Sequence, residues 1–168
     1  MLLDLDSLST FVTVGALADK TGDTINYVNA SFIAEQKGIK IETSAELSSS
    51  AYKNLISVKV TTDKRVVDID ATIFEEGVQR IVEVNGFDLD VEPKGNFILF
   101  KNTDVPGVIG KVGTLLAESS VNIADFRLGR NNSGEALAVI ITDTPVKDTA
   151  LAKLAALEEC ISVDAVRL

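Results

Sequence analysis

The residue types best suited to binding a small charged molecule lie close together between residues 98 and 124. Asn102 and Asp104 follow an apolar run, and Gly107 and Gly110 fall in the first turn of a segment with helical spacing. The first turn of a helix offers free backbone N–H groups to an anion, while a carboxylate one loop away accepts from a cation. A free amino acid carries both charges, so this segment has the chemistry to bind one.

These side chains also have ordinary structural interpretations. Asn102 and Asp104 fit a loop in which both side chains are solvated or cap the helix. Asn122, between the helix and the next strand, suits an amide that binds both charges of a ligand, and it equally suits a left-handed residue that ends the helix. Gly113 fits close packing of the helix on a sheet. The G-x-x-G-x-x-G spacing that it completes matches neither nucleotide-binding fingerprint.

The composition excludes several classes of function. The chain has no His, and its single Cys, Cys160, begins an apolar strand, where a buried small hydrophobe is expected rather than a nucleophile. We therefore expect no catalytic set, no metal site and no internal disulfide. A net charge of −9 opposes binding to nucleic acid or to an anionic membrane. Because no apolar window spans a bilayer and residues 1–6 lack a basic leader, a cytoplasmic protein is expected.

The elements that must position these residues form a complete pattern in residues 96–168. Hydrophobic periodicity predicts the order βαββαβ, which is the ferredoxin-like unit. The predicted elements are strand 96–101, helix 107–119, strand 123–131, strand 135–142, helix 147–157 and strand 160–167. Pro106 is expected at the helix start, because its preset φ suits that position.

Residues 1–93 follow a different pattern, and residues 92–95 are typical of a linker. The predicted order is a helix over Leu5–Leu17 capped by Asp4 or Asp6, a break at Thr21–Thr24 and a helix over Ser31–Lys37. β-branched runs from Ile39 to Val91 predict antiparallel strands, with Asn85-Gly86 as a type I′ hairpin turn. The expected fold class is α+β, with an incomplete mixed domain of helices and antiparallel sheet before the ferredoxin-like domain.

Two parts of the chain resemble known families. Residues 96–110 with Val121–Ala124 resemble the ACT domain, a βαββαβ module that commonly binds amino acids and regulates metabolic enzymes. Residues 25–39 with Ile81–Phe87 resemble the intervening, allosteric substrate-binding domain of long-form D-3-phosphoglycerate dehydrogenase. The resemblance implies the regulatory C-terminal half of that NAD-dependent enzyme of serine biosynthesis. The NAD-binding and substrate domains are missing from the match, so we expect no cofactor and no dehydrogenase activity in this chain.

The resemblance also implies a domain division, a ligand and a set of site residues. The intervening domain is expected over residues 1–93 and the ACT domain over residues 96–168. The implied ligand is L-serine or another small amino acid, bound between paired ACT domains of a homo-oligomer. The implied effector-binding positions are Asn102, Asp104, Gly107, Val108, Asn122 and Ile123, with Asn122 contributed by the partner subunit. Some family members have His where this chain has Asn102, which leaves the effector's identity open.

Other interpretations stay open from the residues alone. An intervening domain of this family can bind an anionic phospho-ligand, for which Lys64, Arg65 and Lys94 are the best cations. Residues 1–95 nevertheless hold 16 of the 25 acidic side chains and 9 of the 16 basic ones, which weakens that expectation. The chain also suits the regulatory part of an iron–sulfur L-serine dehydratase, whose cluster would need cysteines from another chain, or a ligand-free oligomerisation module.

Overall fold

The computed structural model describes residues 5–18, 25–45 and 51–168. The chain divides into two compact units, residues 1–49 and residues 50–168. The predicted cap Asp4 and the predicted break at residues 21–24 lie outside the described residues.

The described part of the first unit contains two helices. Helix α1 spans Leu5–Leu17, as predicted, and Asp6 lies in its first turn. Helix α2 spans Ala30–Gln36, which is one residue earlier than predicted at each end. The two helices contact each other, and α2 buries Ile33 and Ala34. One face of α2 is therefore apolar and shielded from solvent.

The second unit contains two four-stranded antiparallel sheets. The strands of the first sheet, in spatial order, are β1 (Ile56–Thr61), β2 (Val66–Ile73), β3 (Gln79–Val84) and β4 (Phe87–Val91). A short 3-10 helix over Glu75–Gly77 joins β2 to β3. Asn85 and Gly86 have φ of 52° and 81°, so the predicted type I′ turn between β3 and β4 is confirmed.

One predicted strand is wrong. Residues 39–45 are described and form no strand. Ile39 and Ile41 are 40% and 44% exposed, so this run buries no apolar face against a partner. A strand without a paired neighbour leaves its backbone groups unsatisfied, and alternation over so few residues does not offset that loss.

The second sheet and its two helices follow the predicted βαββαβ order. The elements are β5 (Asn96–Thr103), α3 (Val108–Glu118), β6 (Ile123–Arg130), β7 (Glu135–Thr142), α4 (Asp148–Ala155) and β8 (Cys160–Arg167). The spatial order is β6-β7-β5-β8, with every pair antiparallel, so the predicted α+β fold with a ferredoxin-like unit is confirmed. Pro106 does not begin α3, because it lies in the turn before the N-cap Gly107.

The second sheet is covered on both faces. Alternate residues of its strands point to opposite sides. One side packs on α3 and α4 through a cluster that includes Ile98, Phe100, Val112, Leu116, Ile140 and Leu154. The other side packs on the first sheet through Val84, Phe87, Val91, Phe97, Leu137 and Val139. With both faces buried, the strand ends and the loops beside the helix starts are the surfaces left for a ligand.

The predicted packing role of Gly113 is wrong. A Cβ built at this position of α3 meets no heavy atom within 4 Å, because the residue faces open space rather than the sheet. A glycine inside a helix costs about 0.5–1 kcal/mol relative to alanine. We therefore expect Gly113→Ala to raise the free energy of unfolding by about that amount in urea denaturation. A lower free energy of unfolding in the variant would contradict the open surroundings of Gly113.

Candidate ligand-binding cleft

A cleft of about 340 Å³ opens where β5 ends and α3 begins. The residues that line it are Asn102, Asp104, Val105, Pro106, Gly107, Val108, Ile109, Leu128 and Arg130. Asn102 is there because even-numbered residues of β5 face the helices, as Ile98 and Phe100 do. The cleft therefore brings together four of the six expected site residues.

Asn102 provides a buried hydrogen-bond acceptor at the cleft. The residue is 3% exposed, and its Oδ1 atom has no hydrogen-bond partner among the described residues. A buried polar atom without a partner costs about 1–3 kcal/mol. Because Asn102 lines the cleft, a donor group on a bound molecule would remove that cost.

Asp104 lies at the rim of the cleft with its carboxylate already paired. Its backbone N–H donates to the carbonyl oxygen of Gly134 at 2.9 Å, which ties the loop to the β6–β7 turn. Its Oδ2 atom lies 3.1 Å from the Nε atom of Arg130, and its side chain is 31% exposed. Asp104 is thus an exposed loop residue whose carboxylate also pairs with Arg130.

The start of α3 contributes backbone donors. Gly107 is the N-cap with φ of 95°, a left-handed conformation that glycine adopts without strain. No side chain in the described part of the protein caps the helix. The first intrahelical bond from this residue runs from the Lys111 N–H to the Gly107 carbonyl at 3.0 Å. The N–H groups of Val108, Ile109 and Gly110 precede that bond and have no partner within the helix. They are available to an anion.

The structure places Asn122 and Ile123 away from the cleft. Both follow the other end of α3, whose 11 residues give about 16 Å between its ends. The Asn122 side chain is exposed, and its Nδ2 atom donates to Oδ2 of Asp143 at 2.7 Å. Ile123 is half-buried against the helix-side core. The alternative role of Asn122 as a left-handed helix end is wrong, because Ser120 takes that conformation with φ of 57°.

Arg130 is a charged cleft residue that the sequence did not single out. Phe126 and Leu128 of β6 pack against the helix-side core, so Arg130 lies on the same face of the strand. In the sheet register Arg130 pairs with Ala136, which pairs with Asn102 on its other side. The period-2 pattern of β6 is the signal that would have found Arg130, once the strand order was known.

An ion pair holds α3 to the residue that precedes β8. Lys111 Nζ donates to Glu159 Oε1, and the Glu159 side chain is 15% exposed. This hydrogen bond lowers the pKa of Glu159 and raises the pKa of Lys111. The pair fixes the helix whose first turn borders the cleft.

We expect this pair to shape the pH dependence of stability. The lowered pKa of Glu159 contributes stability that is present above its ordinary value of 4.5 and is lost as pH falls through the folded-state pKa. The raised pKa of Lys111 contributes stability that is present below its ordinary 10.5 and is lost as pH rises through the folded-state pKa. Glu159→Gln should therefore flatten both limbs of a plot of unfolding free energy against pH. Glu118→Gln, at the exposed end of α3, is the matched control, and superimposable Glu159→Gln and parent curves would contradict the prediction.

The three cations considered for a phospho-ligand do not form a site. Arg65 pairs with Asp164 at 3.3 Å, and Lys94 pairs with Glu92 at 2.6 Å. A second cleft, whose lining includes Lys94, contains neither Lys64 nor Arg65. Two of the three charges are thus already neutralised by carboxylates.

Metal binding and nucleophilic catalysis find little support in the described part of the chain. Within residues 5–18, 25–45 and 51–168, no group of three or more acidic or Cys side chains could hold a metal ion. The Cys160 thiol is half-buried, and burial raises its pKa, so it is a poor nucleophile at neutral pH. None of the described helices combines the length and the apolar character needed to cross a bilayer.

Comparison with known proteins assigns the chain to a family. The sequence profile of the D-3-phosphoglycerate dehydrogenase intervening domain matches residues 2–85. The chain belongs to the D-3-phosphoglycerate dehydrogenase family. The profile of the ACT domain matches residues 97–159, which run from the second residue of β5 to the residue before β8 and contain the whole cleft. The predicted resemblance to the regulatory region of this family is therefore confirmed.

Individual relatives agree with the two profiles. The D-3-phosphoglycerate dehydrogenase of Bacillus subtilis is 34% identical over 167 residues, which is 99% of this chain and 32% of that protein. The Archaeoglobus fulgidus enzyme is 32% identical over 86% of this chain and 28% of its own length. The Synechocystis enzyme is 30% identical over 83% and 26%, respectively. The chain thus spans about a third or less of these relatives and matches their C-terminal part.

Proposed function

We propose that this chain is the regulatory region of a D-3-phosphoglycerate dehydrogenase and that its cleft binds a small amino acid, L-serine first among them. The observation that carries the proposal is the buried, unpartnered Oδ1 of Asn102 between Asp104 and the free start of α3. An acceptor, a carboxylate and a row of backbone donors complement the two charges of an amino acid. NAD belongs to the longer enzyme in this proposal, and no residue of this chain is assigned to it.

The expected binding mode follows from the charges at the cleft. The ligand ammonium donates to the Asp104 carboxylate and to Oδ1 of Asn102. The ligand carboxylate accepts from the backbone N–H groups at the start of α3, where the helix dipole also favours negative charge. A short side chain suits the limited volume of the cleft, which Val105 and Ile109 border.

Pairing of two chains would complete the site. Asn122 lies at the opposite end of α3 from the cleft, so it contacts the same ligand only when a second copy supplies it. The edge strands β6 and β8 leave backbone groups free for pairing between copies. A ligand that bridges two chains favours one relative orientation, and this differential affinity is what feedback inhibition of a cytoplasmic oligomeric enzyme requires.

Calorimetry of the chain with L-serine, glycine and L-valine tests this proposal. We expect saturable binding of L-serine, weakened about tenfold or more in Asn122→Ala, which removes charge-assisted hydrogen bonds to the ligand. Asp143→Ala is the matched control, because it removes the partner of Asn122 within the chain and keeps the amide. Unchanged affinity in Asn122→Ala would contradict the bridging role. No heat with any amino acid would contradict the binding function and favour a ligand-free oligomerisation module.

A further inference from the structure

The cleft contains a positive charge, that of Arg130, which makes no contact with the ligand in the binding mode proposed above. Among the described residues that line it, Arg130 is the one basic side chain. It lies at the end of β6, and the small buried Ala136 separates it in the register from Asn102. An alanine at this position leaves space above the sheet between the guanidinium and the buried acceptor. Arg130 therefore belongs to the same cavity as the unpartnered Oδ1 atom.

The ion pair of Arg130 with Asp104 is suited to exchange. The Nε–Oδ2 distance is 3.1 Å, and the two side chains are 65% and 31% exposed. Exposed ion pairs contribute little net stability, so opening this pair costs little. The other cations near the cleft are held elsewhere, since Lys111 pairs with Glu159 and Lys101 pairs with Glu135. Neither lysine lines the cleft, so among the described residues Arg130 is the basic side chain placed to turn from its carboxylate to a ligand there.

We propose that Arg130 is the specificity-determining residue of the cleft: it releases Asp104 to the ligand ammonium and takes the ligand α-carboxylate. This inference rests on the proposed function and deepens it. One internal ion pair is replaced by two pairs with the zwitterion, so no charge is left unpaired. A guanidinium matches a carboxylate in shape and adds to the donors at the start of α3.

The exchange selects against molecules with only one charge. Ethanolamine is serine without its carboxylate, and it would leave Arg130 without a partner once it occupied Asp104. The compound 3-hydroxypropionate is serine without its ammonium, and it would leave Asp104 unpaired. In exchange for the Asp104–Arg130 pair, each of these two molecules makes only one new ion pair. L-serine restores both halves.

The test compares three ligands with four chains. L-serine, ethanolamine and 3-hydroxypropionate are titrated by calorimetry into the parent chain, Arg130→Gln, Arg130→Lys and Arg127→Gln. Arg127 is the matched control, because it lies on the same strand, pairs with Asp125 and does not line the cleft. The ¹H–¹⁵N resonance of the Arg130 side-chain Nε–H is followed in parallel in the parent chain.

We expect Arg130→Gln to change the affinities for L-serine and for ethanolamine in opposite directions. Arg130→Gln should bind L-serine about tenfold to a hundredfold more weakly, which is the effect of losing a hydrogen bond between charged groups. It should bind ethanolamine more tightly than the parent, because Asp104 has lost its internal competitor. Arg130→Lys should retain part of the serine affinity, and Arg127→Gln should match the parent for all three ligands. The Arg130 Nε resonance should shift with L-serine.

Two results would overturn the inference. The first is that Arg130→Gln changes the affinities for L-serine and for ethanolamine in the same direction. The other is a parent chain that binds L-serine while Arg130→Gln binds it equally well, which would leave the proposed function standing. A parent chain that binds none of the amino acids overturns the proposed function itself, so the two failures are distinguishable.

Discussion

Replacing Asp104 with Asn is expected to lower the affinity for L-serine about a hundredfold. The change keeps the size of the side chain and removes the negative charge, so the ligand ammonium loses a charge-assisted hydrogen bond. The backbone N–H of residue 104 still donates to Gly134, which keeps the loop in place. Calorimetric titration of L-serine into parent and variant measures the effect.

The control for Asp104→Asn is Asp125→Asn on β6. Asp125 also pairs with an arginine, Arg127, and lies outside the cleft. Its replacement should leave the serine affinity unchanged. Equal losses in the two variants would show that net charge of the chain, rather than contact at Asp104, governs binding.

Replacing Gly129 with Ala is expected to destabilise the second unit by about 1–3 kcal/mol. A Cβ at Gly129 would lie 2.7 Å from the carbonyl oxygen of Asp88 and 3.0 Å from the Cβ of Phe87. Those atoms belong to β4, so the new methyl group would push the two sheets apart, and overpacking of this kind costs about that amount. Urea denaturation measures the change in unfolding free energy.

Gly113→Ala is the matched control for Gly129→Ala. Both variants add one methyl group and lower the entropy of the unfolded chain by a similar amount. The surroundings differ, because nothing lies within 4 Å of a Cβ at Gly113. We therefore expect Gly113→Ala to raise the free energy of unfolding and Gly129→Ala to lower it. Stabilisation by Gly129→Ala would mean that β4 and β6 are not in the close contact described here.

Local patterns were enough to predict most elements. The apolar spacing over Leu5–Leu17 predicted α1 without error, and alternation with turn residues predicted the whole βαββαβ unit. The turn at Asn85-Gly86 was predictable because its positive φ values demand such residues. In these segments the residues that decide the conformation are neighbours in the sequence.

Contacts between distant segments were not predictable in the same way. Packing of the first sheet on the second depends on β4 meeting β6 and β7, and no periodicity within either segment encodes it. The role of Gly129 follows from that packing, whereas Gly113, which looked like a packing glycine, faces open space. Arg130 was missed for the same reason, since its neighbour Asp104 is brought to it by sheet order.

The most direct test of the central claim is an NMR titration of the ¹⁵N-labelled chain with L-serine. If the cleft binds the amino acid, the backbone amide resonances of residues 102–105 and 107–110 and the side-chain amide of Asn102 should shift saturably. The amides of β1 and β2, which are remote from the cleft in the sheet order, should not move. Saturable shifts confined to other residues, or none at high serine concentration, would contradict the account.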